Sequence, residues 1–212
     1  SHSSSLDITG NQLSIIAKVR VIGEVNSDAG GNGNHTSIIS KTVVSPHPYG
    51  GYGIFTNEPN EVWQIVVASG DVWDGVESDT QFNLGKYETL AGVHNGETGE
   101  IRFYIDGLLD SQTDIFSTPI RSVNSNVKIG RNPQGNIDCY FNGEISEILL
   151  FNRALTEQEI NDFENGANID YSGLAAHYKF NQGPDGDYPD TLIDHSGNGN
   201  HGTINGATWV EN

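Results

Sequence analysis

Two groups of residues in this 212-residue chain have the types and spacing for chemistry. The first is the run DHSGNGNHG at 194–202, where three glycines punctuate two asparagines behind an aspartate. Glycine admits the left-handed φ angles of tight turns, so such a loop can aim backbone and side-chain oxygens at one point. A hard cation such as calcium needs that, taking six to eight oxygens at about 2.3–2.6 Å. The same composition also suits a plain surface turn, and spacing alone leaves both readings open. The second group is aromatic. Sugar recognition calls for flat ring faces against the apolar side of a pyranose and planar polar groups for its hydroxyls. Tyr49, Tyr52, Trp63 and Trp73, with His47, Asp71 and Asp74 near them in sequence, supply both. Trp63 alternates within an apolar strand pattern and is expected in the core. Trp73 sits among acidic residues and glycines, where a core role is harder to arrange.

The elements that must position these groups are mostly strands. Leu13, Ile15, Ala17, Val19 and Val21 alternate with Ser14, Lys18 and Arg20, the pattern of a half-buried strand. Further strands are expected at 37–41, 54–57, 62–68, 87–94, 100–106, 108–113, 127–130 and 144–151. Asp106-Gly107 should turn a hairpin, because that dipeptide accepts left-handed φ. Residues 45–53, with Pro46, Pro48 and three glycines around His47, Tyr49 and Tyr52, are expected to form an exposed loop. A second glycine–asparagine loop is expected over 28–35. One helix stands out: Thr156 with Glu159 forms a capping box, Leu155 and Ile160 can pack beneath it, and Gly166 stops it. Many short strands with a single helix predict an all-β, two-sheet antiparallel sandwich.

Composition narrows the function classes. The 28 acidic and 10 basic residues give a formal charge of −18, which repels phosphate backbones and anionic lipid. Neither nucleic-acid binding nor membrane insertion is therefore expected, and no apolar run reaches the roughly 20 residues of a membrane-spanning helix. The 26 glycines and a charged fraction of only 18% fit turn-rich β structure. Cys139 is the only cysteine, so an intrachain disulfide is excluded. Asp185, Asp187 and Asp190 lack the glycine and glutamate of an EF-hand loop and read as a solvated turn. The absence of methionine suggests a segment of a longer chain.

The chain resembles the laminin G-like, concanavalin A-like jelly-roll domains common in secreted bacterial proteins. The resemblance rests on SLDITGNQLSIIAKV at 5–19, RFYIDG at 102–107, VKIGR at 127–131 and, above all, FNGEISEILLFNRALTEQEI at 141–160. The order is unusual. In the family, segments like GLAAHYKF (173–180), DHSGNGNHG (194–202) and GATWV (206–210) open the domain, whereas here they come last. Either the chain runs into a second tandem copy, or residues 173–212 fold back to complete a single 1–212 domain as a circular permutation. An unpaired strand would expose an apolar stripe and a sheet edge, which favours fold-back.

The resemblance implies calcium near the junction of the opening segment and the last strand. Carried onto this chain, it assigns Asp194 by side chain, Asn198 and Asn200 by side chain or carbonyl, and Glu147 from the strand that also holds Glu144. Ser146 stands where the family often has aspartate. Glycanases of this fold carry two glutamates and an aspartate alternating on one strand. The run Glu144-Ile145-Ser146-Glu147 lacks that set, and neither Gly-x-Ser-x-Gly nor His-Glu-x-x-His occurs. The expected function is a non-catalytic, calcium-stabilised, extracellular module that binds polysaccharide or cell-surface glycan beside neighbouring domains of a larger secreted protein. The alternatives are a structural spacer or protein-interaction domain and, last, a glycan-cleaving enzyme.

Overall fold

Leu13, Ile15, Ala17, Val19 and Val21 all point inward from β1 (Gln12–Val21), as their alternation demands, and join a core between two sheets. In the computed structural model of the chain, the described residues are 3–23, 35–43, 47–57, 60–114, 119–131, 140–183 and 190–210. All but His35 of the expected 28–35 loop, with Pro46, Cys139, Asp185 and Asp187, lie outside them. After β1 come β2 (Ser37–Val43), β3 (Tyr49–Asn57), β4 (Val62–Gly70), β5 (Val72–Gln81), β6 (Tyr87–Asn95), β7 (Glu100–Ile105) and β8 (Leu108–Asp114). The chain continues through β9 (Lys128–Ile129), β10 (Gly143–Phe151), helix α1 (Glu157–Glu164), β11 (Leu174–Tyr178), β12 (Thr191–Leu192) and β13 (Gly202–Thr203).

One large sheet has the order β11-β10-β1-β6-β7-β8 and the other β5-β4-β3-β2-β9, β12 and β13 pair as a separate short ribbon, and the pairing is antiparallel throughout. This is the expected two-sheet antiparallel sandwich. Trp63, Ile65 and Val67 of β4 meet Leu90, Ile101 and Phe103 of the facing sheet in its core. Trp63 is fully buried and donates its indole N–H to Glu88, which confirms its core role.

The sequence pattern left one residue of β1 unexplained. Ile16 points away from the main core yet is 1% exposed. It belongs to a second apolar layer on the outer face of the six-stranded sheet, with Leu149, Phe151, Leu155 and Ile160, which α1 covers. The helix starts as predicted: Thr156 accepts from the Glu159 N–H, and the Glu159 carboxylate reaches back to the Thr156 N–H. It ends at Asn165, with Gly166 at φ +70°.

Residues 49–53 are strand, not loop. A Cβ on Gly53 would stand 2.7 Å from the Ile39 carbonyl oxygen, so glycine here permits close backbone approach within a sheet rather than a flexible turn. β5 likewise extends through Trp73, where no alternation of apolar and polar residues reveals it.

The C-terminal segment lies against the rest of the chain. β11 pairs antiparallel with β10 through Ile148–Tyr178, Leu149–His177 and Leu150–Ala176. Ala175, Ala176, Tyr178 and Leu192 are part of the main core.

Candidate functional site

The strand registers bring the sequence-predicted rings together. Tyr49 of β3 lies opposite Gly70 of β4, and Trp73 of β5 lies opposite Ala68 of β4, so all four share the outer face of the five-stranded sheet. Because Gly70 and Ala68 carry little or no side chain, the two rings meet over β4 at 6.1 Å, edge to face. His47 extends the run with an edge-to-face contact to Tyr49 at 4.9 Å, and Phe55 closes it on the other side at 6.5 Å from Trp73. Phe55 is buried, whereas Tyr49 and Trp73 are half-buried and His47 is exposed. Around the rings, an Asp71 carboxylate oxygen lies 3.0 Å from His47 Nε2. The aromatic surface thus has a carboxylate, an imidazole and a phenol at its edge, the polar and apolar mixture that a saccharide ring requires.

Arg121 belongs to this group and gives no signal in the sequence. Its Nη1 donates to the Pro48 carbonyl at 2.6 Å. Its backbone N–H donates to the Ala68 carbonyl, and its carbonyl accepts from the Gly51 N–H. The residue ties the start of β3 to β4 through Gly51 and Ala68. Only tertiary contact makes it relevant, so spacing could not have found it.

Two expected sugar ligands are elsewhere. Tyr52 is 1% exposed, on the inner face of β3, and its hydroxyl donates to the Leu6 carbonyl at 2.7 Å. Alternation separates it from Tyr49: three residues along a strand is the opposite face. Asp74 is next to Trp73 and so turns to the inner side, opposite Val67, with its Oδ1 accepting the Gly75 N–H. Its charge acts on His94, a fully buried residue of β6. Burial pushes the His94 imidazole down to about 4, against a smaller upward pull from Asp74.

The 194–202 loop gathers its residues differently from a cation cage. Asp194 is 5% exposed. Its Oδ1 accepts the N–H groups of His177 and Ser196, and its Oδ2 accepts the Asn200 N–H and the Ser196 hydroxyl, all at 2.8–2.9 Å. Burial raises the carboxyl, but these donors outweigh it and hold the group below its ordinary range. The Asn198 amide donates to the carbonyls of Leu174 and Ala175. The Asn200 amide donates to the Ala175 carbonyl and to Ser5 Oγ, and the Tyr178 hydroxyl donates to the Asn200 carbonyl at 2.7 Å. Glu147 is engaged on the outer face of the sheet by His177 Nε2 at 2.7 Å. A carboxylate surrounded by four donors has no lone pair directed at a cation, and Glu147 is turned to a different partner. The four residues therefore do not fit a calcium cage. Among the described residues, no group of three or more His, Cys, Asp or Glu side chains is arranged to hold a metal.

Glu144 is also committed. A bulge in the β1–β10 pairing between Lys18 and Val19 puts it, like Glu147, on the outer face. Both of its oxygens take Arg20 Nη2 at 2.6 Å, and one takes the Tyr87 hydroxyl. Arg20, then Tyr87, hold its carboxyl below the usual range.

Two antiparallel sheets with this strand order define a concanavalin A-like sandwich. The chain belongs to the concanavalin A-like lectin/glucanases superfamily, whose family model matches residues 8–161. No curated protein sequence matches it. Among solved structures, a candidate carbohydrate binding protein from Bacteroides ovatus is similar over 94% of this chain and 56% of its own, with 16% identity and a TM-score of 0.68. The CBM40 of a Ruminococcus gnavus sialidase, bound to α2,3-sialyllactose, is similar over 74% of this chain and 84% of its own, with 13% identity and a TM-score of 0.59. Domain 4 of an extracellular Geobacillus stearothermophilus arabinanase, in complex with arabinotriose, is similar over 74% and 68%, with 17% identity and a TM-score of 0.52. At these identities the likeness is one of fold.

Proposed function

We propose that this chain is a non-catalytic carbohydrate-binding module whose sugar platform is the run His47–Tyr49–Trp73 on the outer face of the five-stranded sheet. The observation that carries the proposal is the meeting of Tyr49 and Trp73 over Ala68 and Gly70, half-buried and edged by Asp71 and His47. The neighbouring folds that hold sialyllactose and arabinotriose support this reading. Residues 1–212 act as one sandwich completed by their own C-terminal segment, within a larger secreted protein, and hydrogen bonds rather than calcium close that segment. The strand carboxylates Glu144 and Glu147 serve an ion pair with Arg20 and a hydrogen bond with His177, not glycoside cleavage. The test is affinity electrophoresis of the chain through gels carrying neutral and acidic polysaccharides. Retardation by at least one polysaccharide, lost in Trp73→Ala, is expected; equal mobility of the two proteins in every gel would refute the platform.

A further inference from the structure

The opposite side of the sandwich carries a groove of about 330 Å³. It exists because α1 stops short. Gly166 turns the chain at φ +70°, and the Ala167 N–H returns to the Asp162 carbonyl, so the helix covers Ile16 and Phe151 but leaves the sheet beyond them open. The floor is a row of polar side chains on three adjacent strands: Thr89 of β6, Lys18 of β1 and Glu147 of β10, paired in register. Phe163 and Glu164 of the last helical turn form one wall, and Tyr171, 44% exposed, lies on the chain after it.

The row is set up to meet a ligand. Cross-strand register would pair Lys18 with Glu147, but Glu147 is taken by His177 at 2.7 Å. The exposed Lys18 ammonium remains as a donor above the buried Thr89, with Glu164 as acceptor and two aromatic rings beside it. A donor, a carboxylate and rings within one concavity are the complement of a hydroxylated ring. The volume lies at the small end of the roughly 300–1,000 Å³ range of ligand pockets, room for one such ring rather than a chain. Two carboxylates against one ammonium oppose an acidic sugar.

We propose that this groove is a second saccharide site, taking a single neutral sugar unit. It opens from the outer face of the six-stranded sheet, whereas the aromatic platform opens from the outer face of the five-stranded one. A module with both sites is bivalent and joins two glycan strands; that consequence rests on the platform reading, while occupancy of the groove does not.

The test is an amide NMR titration of the ¹⁵N-labelled full chain with glucose, galactose, mannose, xylose and arabinose, each taken to about 50 mM so that a millimolar site saturates. At least one sugar should shift the amides around Lys18, Thr89 and Gly166. Tyr171→Ala and Glu164→Gln should each weaken that response about tenfold, and Trp73→Ala should leave it unchanged. No response at these amides to any of the five sugars, or one unaltered by both groove variants, would overturn the second site. Loss of the groove response with polysaccharide retention intact leaves the platform standing, and the reverse leaves the groove standing.

Discussion

Tyr49 and Trp73 belong to strands that never pair, yet their rings touch at 6.1 Å because β4 between them presents only Ala68 and Gly70 beneath. Trp73→Ala and Tyr49→Ala should each lower glycan affinity about tenfold or more, the equivalent of about 1.5 kcal/mol of aromatic burial, with little change in melting temperature. Titration calorimetry with the retained polysaccharide checks this. Tyr52 gives the control: Tyr52→Phe leaves the Leu6 carbonyl without its donor, costs about 1–2 kcal/mol of stability and leaves affinity unchanged.

Asp194 accepts four donors inside the protein. Asp194→Asn should therefore cost about 2–3 kcal/mol in denaturant unfolding, since an amide nitrogen repels the N–H groups a carboxylate oxygen received. Because its folded pKa is lowered, the stabilisation is present at neutral pH and is lost as pH falls through about 4 and below. Adding chelator or excess calcium should leave the melting temperature where it was; a clear drop in chelator that Asp194→Asn abolishes would restore calcium to the loop.

His94 should make the fold acid-sensitive in an earlier window. Its imidazole is lowered to about 4 by burial, against an ordinary value of 6.5, so the unfolded chain takes up a proton that the folded one refuses. Stability should fall as pH drops from about 6.5 to about 4, by about 3 kcal/mol in all, and be flat above that window. Unfolding free energies at several pH values for the chain and for His94→Gln read the effect; an unaltered slope in the variant would assign it to another group.

Removal of residues 173–212 should leave a chain that does not fold cooperatively, because Ala175, Ala176, Tyr178 and Leu192 leave the core together and β10 becomes an unpaired edge on its β11 side. Added back as a separate peptide, the segment should restore the near-ultraviolet dichroism. A sharp unfolding transition in the truncated chain alone would show that the sandwich closes without it.

The sandwich was legible because most strands have one wet face or one apolar partner layer, and period-two alternation records that. β1 shows it residue by residue, and α1 carried its own signals in Thr156, Glu159 and Gly166. The start of β3, all of β5 and the two-residue strands β12 and β13 escaped. β3 begins in a stretch of glycines that serve close packing against β2, and glycine looks the same in a turn. β5 lies at an edge, where no alternation is needed. That edge placement also fixed which candidates share a face: parity along the strand keeps Tyr49 and Trp73 together and removes Tyr52 and Asp74, and parity could be counted only once residues 49–53 and 72–81 were known to be strand. The 194–202 loop shows the limit of composition. Glycine and asparagine reveal that a chain turns back on its oxygens, but not whether those oxygens meet an ion or N–H groups.

The bonds between Ser5 and Asn200, at 2.8 and 3.1 Å, hold an early and a late part of the chain side by side. Tension entering through residue 5 and leaving through residue 200 would therefore act at adjacent points rather than across the long axis of the sheets. Such a load opens contacts one after another, like a zip, instead of shearing a whole ladder at once. In a strained polymer network the domain would hang beside the line of pull as a side lobe, and its clasp would release at low force while both sheets stayed intact. Single-molecule extension from handles at these two positions would register that early, small step.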